Sequence, residues 1–344
     1  MQKLRTGAAY HGCRMLHHVA SDMRDMADNH MNTVVHMMSH TDWERHYKVM
    51  KDIVDVSREA GLEVWMDNWG LGGPPGDVSH FLAYHPEAHI IRSNGEPDPI
   101  RVCLNSPAFR QFMHEWIDAV SETAATTVFW DEPHLPSSDD GVYTCTCPLC
   151  RSKFEEEYGK PMPDLMDDDV SEFRLSVIAD FFSDVCSYAA SKGLKNAVCV
   201  MPGAHHGIHP GTLDRICRAP GLDNIGTDPY WNRKAVNPYE FVYNKTKETL
   251  AIADRFGKDH NIWIQTYDTP RGKEEEIVQA TEAAYDAGAR TILAWGYFGS
   301  ISNNYRAEDP YLVRAKTNQA FARIWEWERD RILAENRRLV GFTK

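Results

Sequence analysis

A chain of 344 residues with 42% hydrophobic and 25% charged side chains can bury a large core, which excludes a disordered or fibrous protein. Its formal net charge of -13 argues against nucleic acid or an anionic membrane surface as partner. No apolar run approaches the roughly 20 residues that span a bilayer, the opening MQKLRTGAAYHGC lacks the apolar segment of a secretion signal, and eight cysteines in so long a chain fit a reducing, cytoplasmic setting better than a disulfide framework.

Apolar strands alternate with amphipathic helices from end to end. Residues 8–12 predict a first strand and 16–29 a first helix. The β-branched run 33–38 is a second strand. Thr41-Asp-Trp-Glu44 has the form of a capping box and opens a helix with Trp43, Tyr47, Met50 and Val54 on one face, ended by Gly61. Strand three covers 62–66 and runs into Asp67, Asn68 and Trp69, then a long loop with Gly-Gly-Pro-Pro-Gly. Loops of that length in compact domains are usually functional. Asn105-Ser-Pro107 caps the next helix, proline being favoured in a first turn.

Strand four, 127–130, ends in Asp131, Glu132 and a proline that stops further pairing. A cysteine-rich loop follows, then a helix over 171–191 with Phe173, Val177, Phe181 and Val185 as its buried stripe. Strand five, 197–201, precedes His205 and His206; strand six, 225–227, precedes Asp228, Tyr230 and Trp231. A helix over 238–256, strand seven over 262–266, a helix over 274–287, strand eight over 291–294 and a last helix from about 311 to 335 complete the pattern. Strict alternation implies a parallel sheet, and eight units in this length fit an α/β chain folded as one (β/α)8 TIM barrel over 1–344, with long loops after strands 3 and 4. A doubly wound sheet would carry a glycine-rich phosphate turn after the first strand, where this chain reads Tyr10-His-Gly-Cys-Arg14.

Reactive groups of such barrels lie at the C-terminal ends of strands. There the sequence places Tyr10, Asp67, Trp69, Asp131, Glu132, His205, His206, Asp228, Tyr230, Trp231, Tyr267, Asp268 and Trp295. Carboxylates supply acid, base and nucleophile, and flat rings suit the C–H faces of a sugar. Glycoside hydrolysis needs two carboxyl groups across the scissile bond. Glu132 is the expected acid/base; Asp131 alternates to the other side of the strand and is expected to bind or orient. The second carboxyl is expected from Asp268 as nucleophile, or from Asp228 as base if the enzyme inverts. Two other readings are a metal-dependent barrel isomerase or lyase using His11, His36, His205, His206 and Asp228, and a non-catalytic sugar-binding barrel. A homo-oligomer is compatible with either.

Cys145, Cys147 and Cys150 have C-x-C-x-x-C spacing, and three thiolates want a fourth ligand for tetrahedral zinc. Cys103 is the leading candidate, with Cys13, His134 and Cys186 behind it, which would make 103–159 a zinc-clamped subregion. The segment from Cys145 to Gly159, downstream of an acidic strand end, resembles the zinc-binding loop of family 42 glycoside hydrolases. That resemblance implies a (β/α)8 barrel with retaining β-galactosidase chemistry, a zinc site completed by Cys103, and an acid/base role for Glu132. Two positions depart from the family: Asp131 replaces its asparagine, and strand seven ends Gln265-Thr-Tyr-Asp268 where the family carries a nucleophilic glutamate.

Overall fold

The structure is a computed structural model that describes residues 3–73, 79–132, 135, 141–202 and 211–339. Eight parallel strands close into a barrel: β1 (Arg5–Tyr10), β2 (Thr33–Met37), β3 (Glu63–Asp67), β6 (Thr127–Asp131), β7 (Lys195–Cys199), β8 (Asn224–Thr227), β9 (Asp259–Gln265) and β10 (Thr291–Trp295), with β10 pairing back on β1. The helices around it are α1 (Leu16–Asp28), α2 (His40–Glu59), α4 (Pro107–Ser121), α6 (Asp168–Ser191), α8 (Pro238–Phe256), α9 (Glu275–Asp286) and α10 (Pro310–Leu339). No helix among the described residues is long and apolar enough to cross a membrane.

Strand parity sorts the core into two shells. Ala9, Val35, Met37, Trp65, Phe129, Ala197, Cys199, Trp263 and Leu293 fill the barrel interior. Their neighbours Ala8, Val34, Met66, Val128, Trp130, Val198, Ile225, Ile264 and Ile292 face the helices. The inner shell is a plug of large rings: Trp65 stacks on Phe129 at 6.3 Å, and Phe129 meets Trp263 at 5.0 Å. Truncating one such ring to alanine costs roughly 3–5 kcal/mol. Above the plug the barrel opens toward its C-terminal end.

Three local features differ from expectation. The capping box of α2 lies two residues earlier than predicted: Ser39 is the N-cap, its hydroxyl accepts from the Asp42 amide, and the Asp42 carboxylate accepts from the Ser39 amide. Ser39 keeps extended backbone, whereas Thr41 already lies inside the helix. The segment after β3 holds a short helix α3 (Phe81–Tyr84) and an antiparallel hairpin of β4 (His89–Ile91) and β5 (Pro97–Val102). The cysteine segment is also partly helical: α5 (Pro148–Tyr158) starts from Cys147 as N-cap, and α7 (Thr212–Ile216) adds a turn before β8.

The long α10 stitches the barrel seam. The Trp325 indole N–H donates to the Thr6 hydroxyl at 2.8 Å and to the His30 carbonyl at 2.9 Å. Buried Glu328 accepts from the Tyr285 hydroxyl at 2.9 Å and pairs with Arg290 at 3.2 Å, tying α10 to α9 and the start of β10.

Candidate active site

Three strands deliver an inward carboxyl by parity alone. Asp67 repeats the direction of Trp65, Asp131 that of Phe129, and Asp228 that of Gly226. Gly226 is required there, because a Cβ would lie 2.0 Å from the Asn261 Oδ1. Asn261 in turn donates to Asn224 at 2.6 Å and accepts from the Trp263 indole at 2.9 Å, a buried polar layer that fixes the floor. Glu132 has outward parity, but its φ of 37° breaks the alternation, and its amide donates to the Cys199 carbonyl at 3.2 Å. The Glu132 carboxyl thereby shares a hydrogen bond with Asp228.

The electrostatics are dominated by burial. Asp67 is 0% exposed, and neither oxygen has a hydrogen-bond partner among the described residues. Desolvation holds its carboxyl well above the usual range, and the nearby Trp69 amide only partly opposes this. Asp131 is raised by burial, then by the charges of Asp67 and Glu132. Asp228 is raised by burial, then by the charge and hydrogen bond of Glu132. Burial, then the same carboxyls, also raise Cys199, Tyr230 and Tyr267. Cys199 lies in the interior and hydrogen-bonds Asp228; its alternation with Ala197 is the sequence signal that marks it.

Rings wall the cluster. Trp69, Tyr230 and Trp295 pack on top of the interior plug. His11 sits edge-on between Trp69 at 4.9 Å and Trp295 at 5.2 Å, both ring nitrogens buried without a partner among the described residues. Burial and then Arg14 push His11 down to about 4, so its ring is neutral near pH 7. Tyr230 and Tyr267 meet at 5.2 Å on the opposite side.

The remaining predicted positions lie elsewhere. Tyr10 faces outward and donates to Asp22 at 2.6 Å. Trp231 is buried against α9, its indole donating to Glu276 at 2.9 Å. Asp268 follows β9 with a left-handed φ of 52°, and its carboxylate pairs with Arg233 at the rim, where the side chain is 30% exposed. His36 points away from the interior and bonds Ser57 of α2 at 2.8 Å, so it does not join Asp228. His134, His205 and His206 lie outside the described residues.

Cys103, Cys145, Cys147 and Cys150 form one buried group whose sulfurs all lie within 4.8 Å of each other and can hold a metal ion. Cys103 Sγ is 3.4 Å from Cys150 and 3.7 Å from Cys147. A tetrahedron with Zn–S bonds of about 2.3 Å has edges of about 3.8 Å. Hydrogen bonds from Cys103, Cys145 and Cys150 push the Cys147 thiol down, and those with Cys145, Cys147 and Cys150 push Cys103 up; thiols this close need a shared cation to ionise together. The Asn105 amide donates to Cys150 at 3.4 Å, in the position of an outer-shell partner. Cys13 is exposed and Cys186 lies in α6, outside the group. Among the described residues the other potential metal group is His40, Glu44 and His80. There His40 Nδ1 accepts the His80 amide at 3.1 Å, so its proton sits on Nε2, facing Glu44 at 3.1 Å. That tautomer suits a hydrogen-bonded network rather than a metal.

No protein-family model and no curated protein matches the sequence. Solved structures match the fold. A beta-galactosidase from the psychrophilic Marinomonas ef1 superposes with TM-score 0.71 at 12% identity, over 99% of this chain and 61% of its own. A catalytic mutant of Gan42B, a GH42 beta-galactosidase from G. stearothermophilus, gives TM-score 0.71 at 12% identity, over 94% of this chain and 56% of its own. The PgaB (BpsB) glycoside hydrolase domain from Bordetella bronchiseptica gives 0.62 at 13% identity, over 92% of this chain and 99% of its own. The chain thus spans about three fifths of the length of the two galactosidases. The neighbours are (β/α)8 glycoside hydrolases, and the likeness is one of fold.

Proposed function

We propose that this chain is a glycoside hydrolase acting on a small glycoside or oligosaccharide, with Glu132 as general acid/base. The observation that carries the reading is the hydrogen bond between Glu132 and Asp228 inside a buried carboxyl cluster walled by Trp69, Tyr230 and Trp295. The pair shares one proton along that bond. On substrate binding the proton passes along that bond to Glu132, which delivers it to the departing glycosidic oxygen. The rings cover the apolar face of the sugar and exclude water, and neutral His11 offers one donor and one acceptor to sugar hydroxyls. The thiol group would hold a structural zinc that clamps the β4–β5 hairpin to α5, with no open position for chemistry. Free cysteines throughout fit a reducing, cytoplasmic compartment.

Carboxyl separations of about 5–5.5 Å mark retaining enzymes and about 6.5–9.5 Å inverting ones. A directly hydrogen-bonded pair is closer than either, so Asp228 serves the proton of Glu132 rather than the opposite face of the sugar. Asp268 would become a nucleophile only after leaving Arg233. The test is a leaving-group series on Glu132→Gln. Loss of a general acid lowers kcat by about 10²–10⁴ for phenyl glycosides and far less for dinitrophenyl glycosides, whose departure needs no proton. Equal loss across the series, or none, would remove Glu132 from the role.

A further inference from the structure

The glycosidase reading leaves one job unfilled, the group that attacks the anomeric carbon. Strand β9 does not supply it from its end. The Gln265 Oε1 is occupied by the amides of Trp231 at 3.0 Å and Asn232 at 3.1 Å. Asp268 is turned to the rim and paired with Arg233. The groups whose charges raise Asp131 and Asp228 are Asp67, Glu132 and Asp131 itself, all within the cluster. The strand that carries the acid instead presents a second carboxyl next to it. Asp131 points into the barrel, faces Cys199 across the ladder, and lies among Asp67, Tyr230 and the ring wall.

We propose that the nucleophile is the substrate's own 2-acetamido group, held by Asp131, so that the site acts on 2-acetamido-2-deoxy-β-glycosides. An acetamido group asks for a carboxylate to accept its N–H, a hydroxyl to donate to its carbonyl, and apolar walls for its methyl. Asp131, the hydroxyls of Tyr230 and Tyr267, and the rings of Trp69 and Trp295 provide those three kinds of group in one mouth. Asp67 beneath is buried with both oxygens unpartnered among the described residues, which leaves acceptors free for a sugar hydroxyl or for a proton shared with Asp131.

The step balances within the site. The acetamido oxygen bonds to C1 as the C1–O bond to the leaving group breaks, and Glu132 gives its proton to the departing oxygen. The N–H stays hydrogen-bonded to an oxygen of the Asp131 carboxyl, and its proton is shared along that bond as the oxazoline forms. Water then attacks C1 and gives its proton to Glu132, the C1–acyl bond breaks, and nitrogen keeps the proton it shared with Asp131. Attack from the face opposite the leaving group requires a 1,2-trans substrate, and the two displacements return the β anomer. This mechanism is one of the known exceptions to the two-carboxylate scheme.

The test compares 4-nitrophenyl 2-acetamido-2-deoxy-β-glucoside and -galactoside with their 2-hydroxy parents on the full chain, and adds an N-acetyl, N-fluoroacetyl, N-trifluoroacetyl series. The expected result is turnover of the acetamido substrates, with kcat/KM falling about 100-fold or more by the trifluoroacetyl member as the internal nucleophile weakens. Asp131→Asn should lower kcat on the N-acetyl substrate by about 100-fold with little change in KM. Preference for the 2-hydroxy parents, or a flat fluorination series, overturns the proposal; if the parents show the Glu132 leaving-group signature, the glycosidase reading survives it. No turnover of any glycoside by folded protein overturns both.

Discussion

Cutting the thiol clamp with Cys150→Ser tests what that group contributes. Cys103 and Cys150 are 47 residues apart in sequence and 3.4 Å apart in space. An ion joining them closes a loop of that length in the unfolded chain. The loop-closure expression, -2.1 - 1.5R ln n, gives about -14 cal/mol/K, or about 4 kcal/mol at 25 °C. At about 2.1 cal/mol/K per residue, a chain of 344 residues unfolds with about 0.7 kcal/mol/K, so this becomes a fall in Tm of about 6 °C. The assay is calorimetry with metal analysis, under thiol-reducing conditions, on wild type, Cys150→Ser, and each after chelation. Wild type should carry one zinc per chain; the variant should lack it and melt lower; chelation should lower wild type alone. The chelation arm separates the clamp from the cost of one polar atom in a buried site. Wild type that purifies without metal, or a variant that melts with wild type, would refute the reasoning.

Asp67→Asn should stabilise the protein, and more so as pH rises. A buried carboxyl with a raised folded value binds more protons folded than unfolded, so its cost grows as pH climbs from the ordinary carboxylate range toward neutrality. Thermal melts from pH 4 to 8 would show this, and a gain that shrinks with pH would contradict it. Asp228→Asn keeps the shape beside Glu132 but removes one carboxyl of a coupled pair whose mutual repulsion retains the shared proton, so the basic limb of the pH–rate profile should move to lower pH. A profile that keeps its limb would exclude coupling between the two. Trp295→Ala should raise KM for a glycoside about 10-fold, in line with a ring contact worth about 1–1.5 kcal/mol, and steady-state kinetics against Trp231→Ala, a ring outside the site, would check that the effect is local.

The barrel was legible because its periodicity is carried by many residues at once. The site was legible only by strand, since neighbours at a strand end face opposite shells. That is why Tyr10 and Trp231 fall outside the mouth while Asp67, Asp131, Asp228, Trp69 and Trp295 gather in it. Parity counted forward from Phe129 would have sent Glu132 outward; a left-handed backbone torsion, which the letters do not show, returns it. Asp268 is displaced by the same kind of torsion. The hairpin was hidden because its strands are short and hold proline and charge, and α5 because its thiol spacing stood out more than its helical residues.

The stitching of α10 onto the first strand has a consequence for assembly order. Its contacts join residues 319 and 295 apart in sequence, and closure over such separations is entropically the last to form. Asp67, Asp131, Glu132 and Asp228 all come from the middle of the chain, within the contiguous run β3-β6-β7-β8, and can come together before the seam shuts. His11 and Trp295 come from the two sides of that seam. Reactive groups and enclosing wall are therefore separable in time: a barrel ajar at β1 and β10 keeps its acids together while admitting water, and the mouth becomes a dry chamber only when the ends of the polypeptide meet.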